Sequence, residues 1–76
     1  MSYEEKLVRF IASKLIQRKF FIKKHYYPTS TELSRLVERV IEDLLSEFNQ
    51  LKLIRIKTND GFIAPIIKKS VDKLII

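Results

Sequence analysis

The sequence predicts an α+β fold, with two main helices followed by a β-hairpin in one small domain spanning residues 1–76. Three observations predict it. Leu33, Leu36, Val37, Val40, Ile41, Leu44, Leu45, Phe48 and Leu51 recur in steps of 3 and 1, the period of one wide apolar helix face. Two capping boxes, Ser2-Tyr3-Glu4-Glu5 and Thr29-Ser30-Thr31-Glu32, mark where helices begin. Asn59-Asp60-Gly61 holds the only glycine of the chain between two runs rich in apolar residues, which reads as a hairpin turn.

Helix one follows Ser2, with Tyr3, Leu7, Val8, Ile11 and Leu15 at helical spacing and Phe10 and Phe21 at the stripe's edge. Arg18 interrupts that stripe, so the helix is expected to weaken or end near Lys19. From Lys19 to Tyr27 basic and aromatic residues interleave without a period. One reading is a connector with Phe20, Phe21 and Ile22 in the core and the lysines solvated. The other is a nucleic-acid contact, in which lysines meet phosphates and Tyr26 or Tyr27 donates to a phosphate or stacks on a base. His25 reads as an ordinary surface histidine, because one His and no Cys cannot assemble a zinc site.

Tyr27-Pro28 marks a boundary, since a residue before proline is pushed to an extended conformation. Helix two then runs to about Leu51. The hairpin spans Leu53 to Ile67 and pairs Thr58 with Phe62, Ile56 with Ala64 and Ile54 with Ile66. Pro65 cannot donate to a ladder, which makes the second strand an edge there. Residues 68–76 form either a short helix capped by Ser70 or a third strand, and Leu74, Ile75 and Ile76 are expected to be buried.

Seventy-six residues give a marginal core, and with no Cys and one His neither a disulfide nor a zinc site can support it. A subunit contact is the remaining source of stability, so a homodimer or a protein partner is expected. No signal peptide and no apolar run near the ~20 residues of a membrane span is evident. The expected protein is therefore soluble and cytoplasmic, with no membrane partner. Heavy use of Ile and Lys with almost no Gly fits an AT-rich or thermophilic source, archaea and their viruses included.

The net charge of +6 is unevenly placed. Residues 1–27 hold seven Lys/Arg against two acids, residues 28–50 two against five, and residues 51–76 six against two. A polyanion should therefore meet the two ends and avoid the acidic middle.

Helix, basic connector, capped helix and then Leu51-Lys52-Leu53-Ile54 leading into a hairpin is similar to a winged-helix domain. The passage Leu44 to Ile54 matches that family's step from a helix into its wing, and Thr29 to Leu36 resembles the start of its second helix. The resemblance covers roughly residues 5–67 and implies DNA binding of the transcription or chromatin type. That family breaks between its second and third helices, whereas Leu33 to Leu51 runs unbroken. Either a cramped turn lies at Val37-Glu38 or the two helices have fused.

Glu38, Glu42, Asp43 and Glu47 on the outer face would repel phosphates. The expected nucleic-acid contacts are therefore Lys19, Lys23, Lys24, Arg35, Arg39, Arg55 and Lys57, gripping the backbone of double-stranded DNA. The apolar residues Leu33, Val37, Val40, Leu44, Phe48, Leu74, Ile75 and Ile76 are the expected dimer or partner interface. The alternative is a protein-interaction module or accessory subunit using that same apolar face. No phosphate-binding Gly-rich loop, thiol or Ser/His/Asp set is present, so neither an enzyme, a cofactor, a metal nor a small-molecule substrate is expected.

Overall fold

The computed structural model describes the backbone over residues 3–51 and 60–76, and side chains over residues 5–46 and 64–76. Three helices make up the fold: α1 (Tyr3–Lys24), α2 (Ser30–Leu51) and α3 (Asp60–Leu74). Each packs on the other two. At 1.5 Å per residue the two 22-residue helices are each about 33 Å long, which sets the long axis of a body 37 × 23 × 21 Å.

This is an all-α fold, and the α+β expectation is overturned. Among the described residues there is no strand. Residues 60–67, expected as the turn and second strand, begin α3, and Pro65 lies inside that helix. The first expected strand, Leu53 to Thr58, lies outside the described residues, as does Ser2. The winged-helix likeness fails over residues 60–67 for the same reason, because a wing needs two strands there.

Phe62 to Ile67 are mostly apolar, so that stretch fits a period of 2 or of 3.6 equally well. What decides is the continuation. Ile67, Ser70, Val71 and Ile75 are all buried, and Leu74 is half-buried, at offsets of 0, 3, 4, 8 and 7. That is one helix face. Pro65 is exposed, on the opposite side and one turn in from the start of α3. Ser70 neither caps a helix nor begins one; it is buried in the middle of α3.

The core consists of Val8, Ala12, Ile16 and Phe20 from α1, Val37, Val40 and Leu44 from α2, and Ile67, Val71 and Ile75 from α3. The α1 residues recur at every fourth position. Their centre is displaced from the stripe expected from sequence, because α1 is covered by two helices and its deepest line runs between them. Ile11 and Leu15 flank that line and pack against the core. Phe10, Phe21 and Ile22 are exposed. α1 continues past Lys19 to Lys24, since Phe20 extends the buried line by one more turn.

The end of α1 is set by His25. Its φ is 65°, and its N–H donates to the carbonyl of Phe21 at 2.8 Å. A left-handed residue closing a helix with that bond is a standard C-terminal cap, and histidine is among the non-glycine residues that tolerate it. Five residues later the expected capping box starts α2. The Thr29 N–H donates to Glu32 Oε1 at 3.2 Å, and the Glu32 N–H donates to Thr29 Oγ1 at 3.1 Å. α2 is one unbroken helix over Ser30–Leu51, so no turn occurs at Val37-Glu38.

Among the described residues, each seam carries a polar tie. Arg9 of α1 donates to Glu38 of α2. Lys19 of α1 pairs with Asp72 of α3 at 3.3 Å. Ser70 Oγ of α3 donates to Asp43 Oδ2 of α2 at 2.7 Å.

Candidate functional site

Three adjoining depressions lie on α1, on the α1–α3 seam and on α3. The first is lined by Lys14, Leu15, Gln17, Arg18, Phe21, Ile22 and Tyr27. The second shares Leu15, Arg18 and Ile22 with it and adds Lys19, Lys68, Val71 and Asp72. The third shares Lys68 and Asp72 with the second and adds Pro65, Lys69 and Lys73. Shared walls make them one track, from the α1–α2 connector along the α1–α3 seam to the outer side of α3.

Helical spacing explains the alignment. Lys14, Arg18 and Ile22 are four residues apart and therefore stand in a row along α1. Lys68 and Asp72, and Lys69 and Lys73, are likewise one turn apart on α3. The track gathers six cations, Lys14, Arg18, Lys19, Lys68, Lys69 and Lys73, against one carboxylate, Asp72. Lys68 Nζ lies 3.0 Å from Asp72 Oδ2, and Lys19 Nζ lies 3.3 Å from Oδ1. The hydrogen bond from Lys68, with a second from Lys19, holds the Asp72 carboxyl below the usual carboxylate range, against a smaller opposing effect of burial. Asp72 is therefore ionised at neutral pH and offsets one of the six charges. Lys14 Nζ lies 5.3 Å from the centre of the Phe10 ring. Arg18, Lys69 and Lys73 have no acidic partner among the described residues.

At the connector end the track is aromatic. The left-handed turn at His25 folds the two tyrosines back over α1. Tyr26 meets the Phe20 ring edge to face at 5.4 Å. Tyr27 stacks on Phe21 at 4.8 Å with the planes 23° apart.

Of the expected nucleic-acid contacts, Lys19 lies on this track. Lys23 and Lys24 are exposed on the last turn of α1, with Lys23 one turn beyond Lys19. Arg35 and Arg39 are exposed on α2 and line none of the three depressions. Arg55 and Lys57 lie outside the described residues. Lys14, Arg18, Lys68, Lys69 and Lys73 were not among the expected contacts. The four-residue spacing of Lys14 and Arg18 was visible in the sequence. That of the α3 lysines was not, because a strand over residues 68–76, or a helix starting only at Ser70, leaves Lys68 and Lys69 off a helix that runs in fact from Asp60.

Of the expected interface residues, Val37, Val40, Leu44 and Ile75 are buried within the chain's own core, and Leu33 and Leu74 pack against it. Ile76 is exposed. The Phe48 side chain lies outside the described residues. Among the described residues no helix is long and apolar enough to cross a membrane, and no cluster of three or more His, Asp or Glu residues could hold a metal ion. No protein-family model, curated protein or solved structure matches the chain, so the functional reading rests on this surface alone.

Proposed function

We propose that the protein binds DNA by holding its phosphate backbone along the α1–α3 track. The observation that carries this reading is the continuity of the track, with six cations and one carboxylate on adjoining walls. A sugar-phosphate backbone is a row of negative charges that satisfies such a row of cations and releases its counterions on binding. The acidic outer side of α2 stays clear of it. One chain suffices for this grip. Val37, Val40 and Leu44, expected at a dimer or partner interface, are spent in this chain's own core, which favours a grip made by one chain.

Salt dependence tests it. If about five phosphates are neutralised, log K falls against log salt with a slope of roughly −4.5 for a duplex and −3.5 for a single strand. A fourfold rise in salt then weakens binding about a hundredfold or more. An anisotropy titration with micromolar labelled DNA that gives no signal at about 50 mM salt removes the proposal.

A further inference from the structure

We infer that the DNA held on this track is single-stranded, with a base stacking on the Tyr27–Phe21 pair. This rests on the backbone-binding reading above and adds to it the form of the strand. Two rings lie nearly parallel, and yet Tyr27 keeps 64% and Phe21 42% of its surface exposed. Exposed aromatic surface in a small protein costs free energy in water, and a cluster of it marks a contact site. Lys14 and Arg18 line the same depression. Flat rings beside cations that follow a backbone are the combination by which single strands are bound without sequence preference. A duplex keeps its base faces stacked on one another. It can offer this surface phosphates and sugars only, and leaves the rings uncovered.

The platform is also preorganised. Tyr27 is held between the left-handed His25 and Pro28, whose own φ is fixed by its ring, and α2 begins two residues after Pro28, behind its Thr29 cap. Little backbone freedom remains to be lost when a base arrives, which favours a contact here over one made by an aromatic on an unconstrained loop.

The experiment compares an oligothymidine of about twenty nucleotides with a duplex of equal length, using the whole chain, Tyr27→Leu and Tyr27→Trp. The single strand is expected to bind more tightly than the duplex. Tyr27→Leu keeps an apolar side chain but removes the π face. It should weaken oligothymidine binding by about five- to hundredfold and duplex binding far less. The native chain has no Trp, so the Tyr27→Trp variant reports from that position alone, and its emission should be quenched as oligothymidine is added. If the Tyr27→Leu variant weakens both forms equally or neither, or if the Tyr27→Trp emission does not respond to oligothymidine, the stacking inference is overturned while backbone binding stands. If neither form binds, both readings fall. Binding to phosphatidylserine vesicles with none to either form of DNA also overturns both. Should the Tyr27→Leu variant fail to show the helical signal of the native chain, the quenching measurement decides.

Discussion

The two sides of α1 are electrostatic opposites. Toward α2, one cation sits between two acids: Arg9 donates to Glu5 of its own helix and to Glu38 across the seam. Toward α3, one acid sits between two cations, Asp72 between Lys19 and Lys68. The central group is held in its charged form on both sides. The Arg9 pKa is raised, chiefly by the hydrogen bond to Glu38, and that of Asp72 is lowered, chiefly by the bond from Lys68. What differs is what stands around each pair. Glu42, one turn beyond Glu38, accompanies the first, while Arg18, Lys69 and Lys73 accompany the second. The same tie that joins two helices thus leaves an acidic surface on one side and a basic track on the other. A small bundle can present a basic surface without any cavity dedicated to it.

The largest expected effect comes from breaking what both sides share. Ile67 is fully buried where α3 meets the core. Ile67→Ala should cost about 2–5 kcal/mol, by lost transfer and a residual cavity, and a chemical melt should show much or all of the fold lost. Next, reversing charge on the basic side alone separates binding from folding. Arg18→Glu combined with Lys68→Glu should weaken DNA binding about tenfold or more, with the thermal midpoint little changed. Arg35→Glu with Arg39→Glu, off the track, should weaken it far less. If the α2 pair matters as much, the contrast between the two sides does not govern binding.

A smaller effect probes the third seam, where the tie is not an ion pair. Ser70→Ala removes the bond to Asp43, whose half-exposed carboxylate can turn to water, so the loss should be about 1 kcal/mol in a denaturant titration. DNA affinity should stay as it was. The smallest effect sharpens the sign on the basic side. Asp72→Asn removes the only acid of the track among the described residues and should tighten DNA binding a few fold at neutral pH. It should also lower stability slightly. Because the folded-state pKa of Asp72 is depressed, its contribution is present above the usual carboxylate pKa of about 4 and disappears as pH falls through the lower folded value. Melting points of the native chain and Asp72→Asn should therefore differ at neutral pH and converge in acid. A gap that persists in acid would assign the difference to packing.

Legibility followed the range of the interactions. The start of α2 could be read because Thr29 and Glu32 satisfy each other's backbone within one turn. Its single face could be read because nine apolar positions repeat the same period. α3 could not, because Phe62 to Ile67 satisfies two periods at once, and the alternation with a glycine turn before it argued for a strand. The buried line of α1 was misplaced by a fraction of a turn for want of knowing that two helices would cover it. The positive φ of His25 left no mark in the sequence beyond a residue type that tolerates it.

What the sequence determined by itself was local: where helices one and two begin, which face of α2 is apolar, and that positive charge gathers at the two ends of the chain. Only the tertiary structure decided which of those charges become neighbours. Lys14 and Arg18 are more than fifty residues from Lys69 and Lys73 along the chain. They form one track because burying Ile16, Phe20, Ile67 and Val71 together brings α1 beside α3. Hydrophobic burial, which is blind to sign, chose the pairing of helices, and the charge pattern of the surface is its consequence.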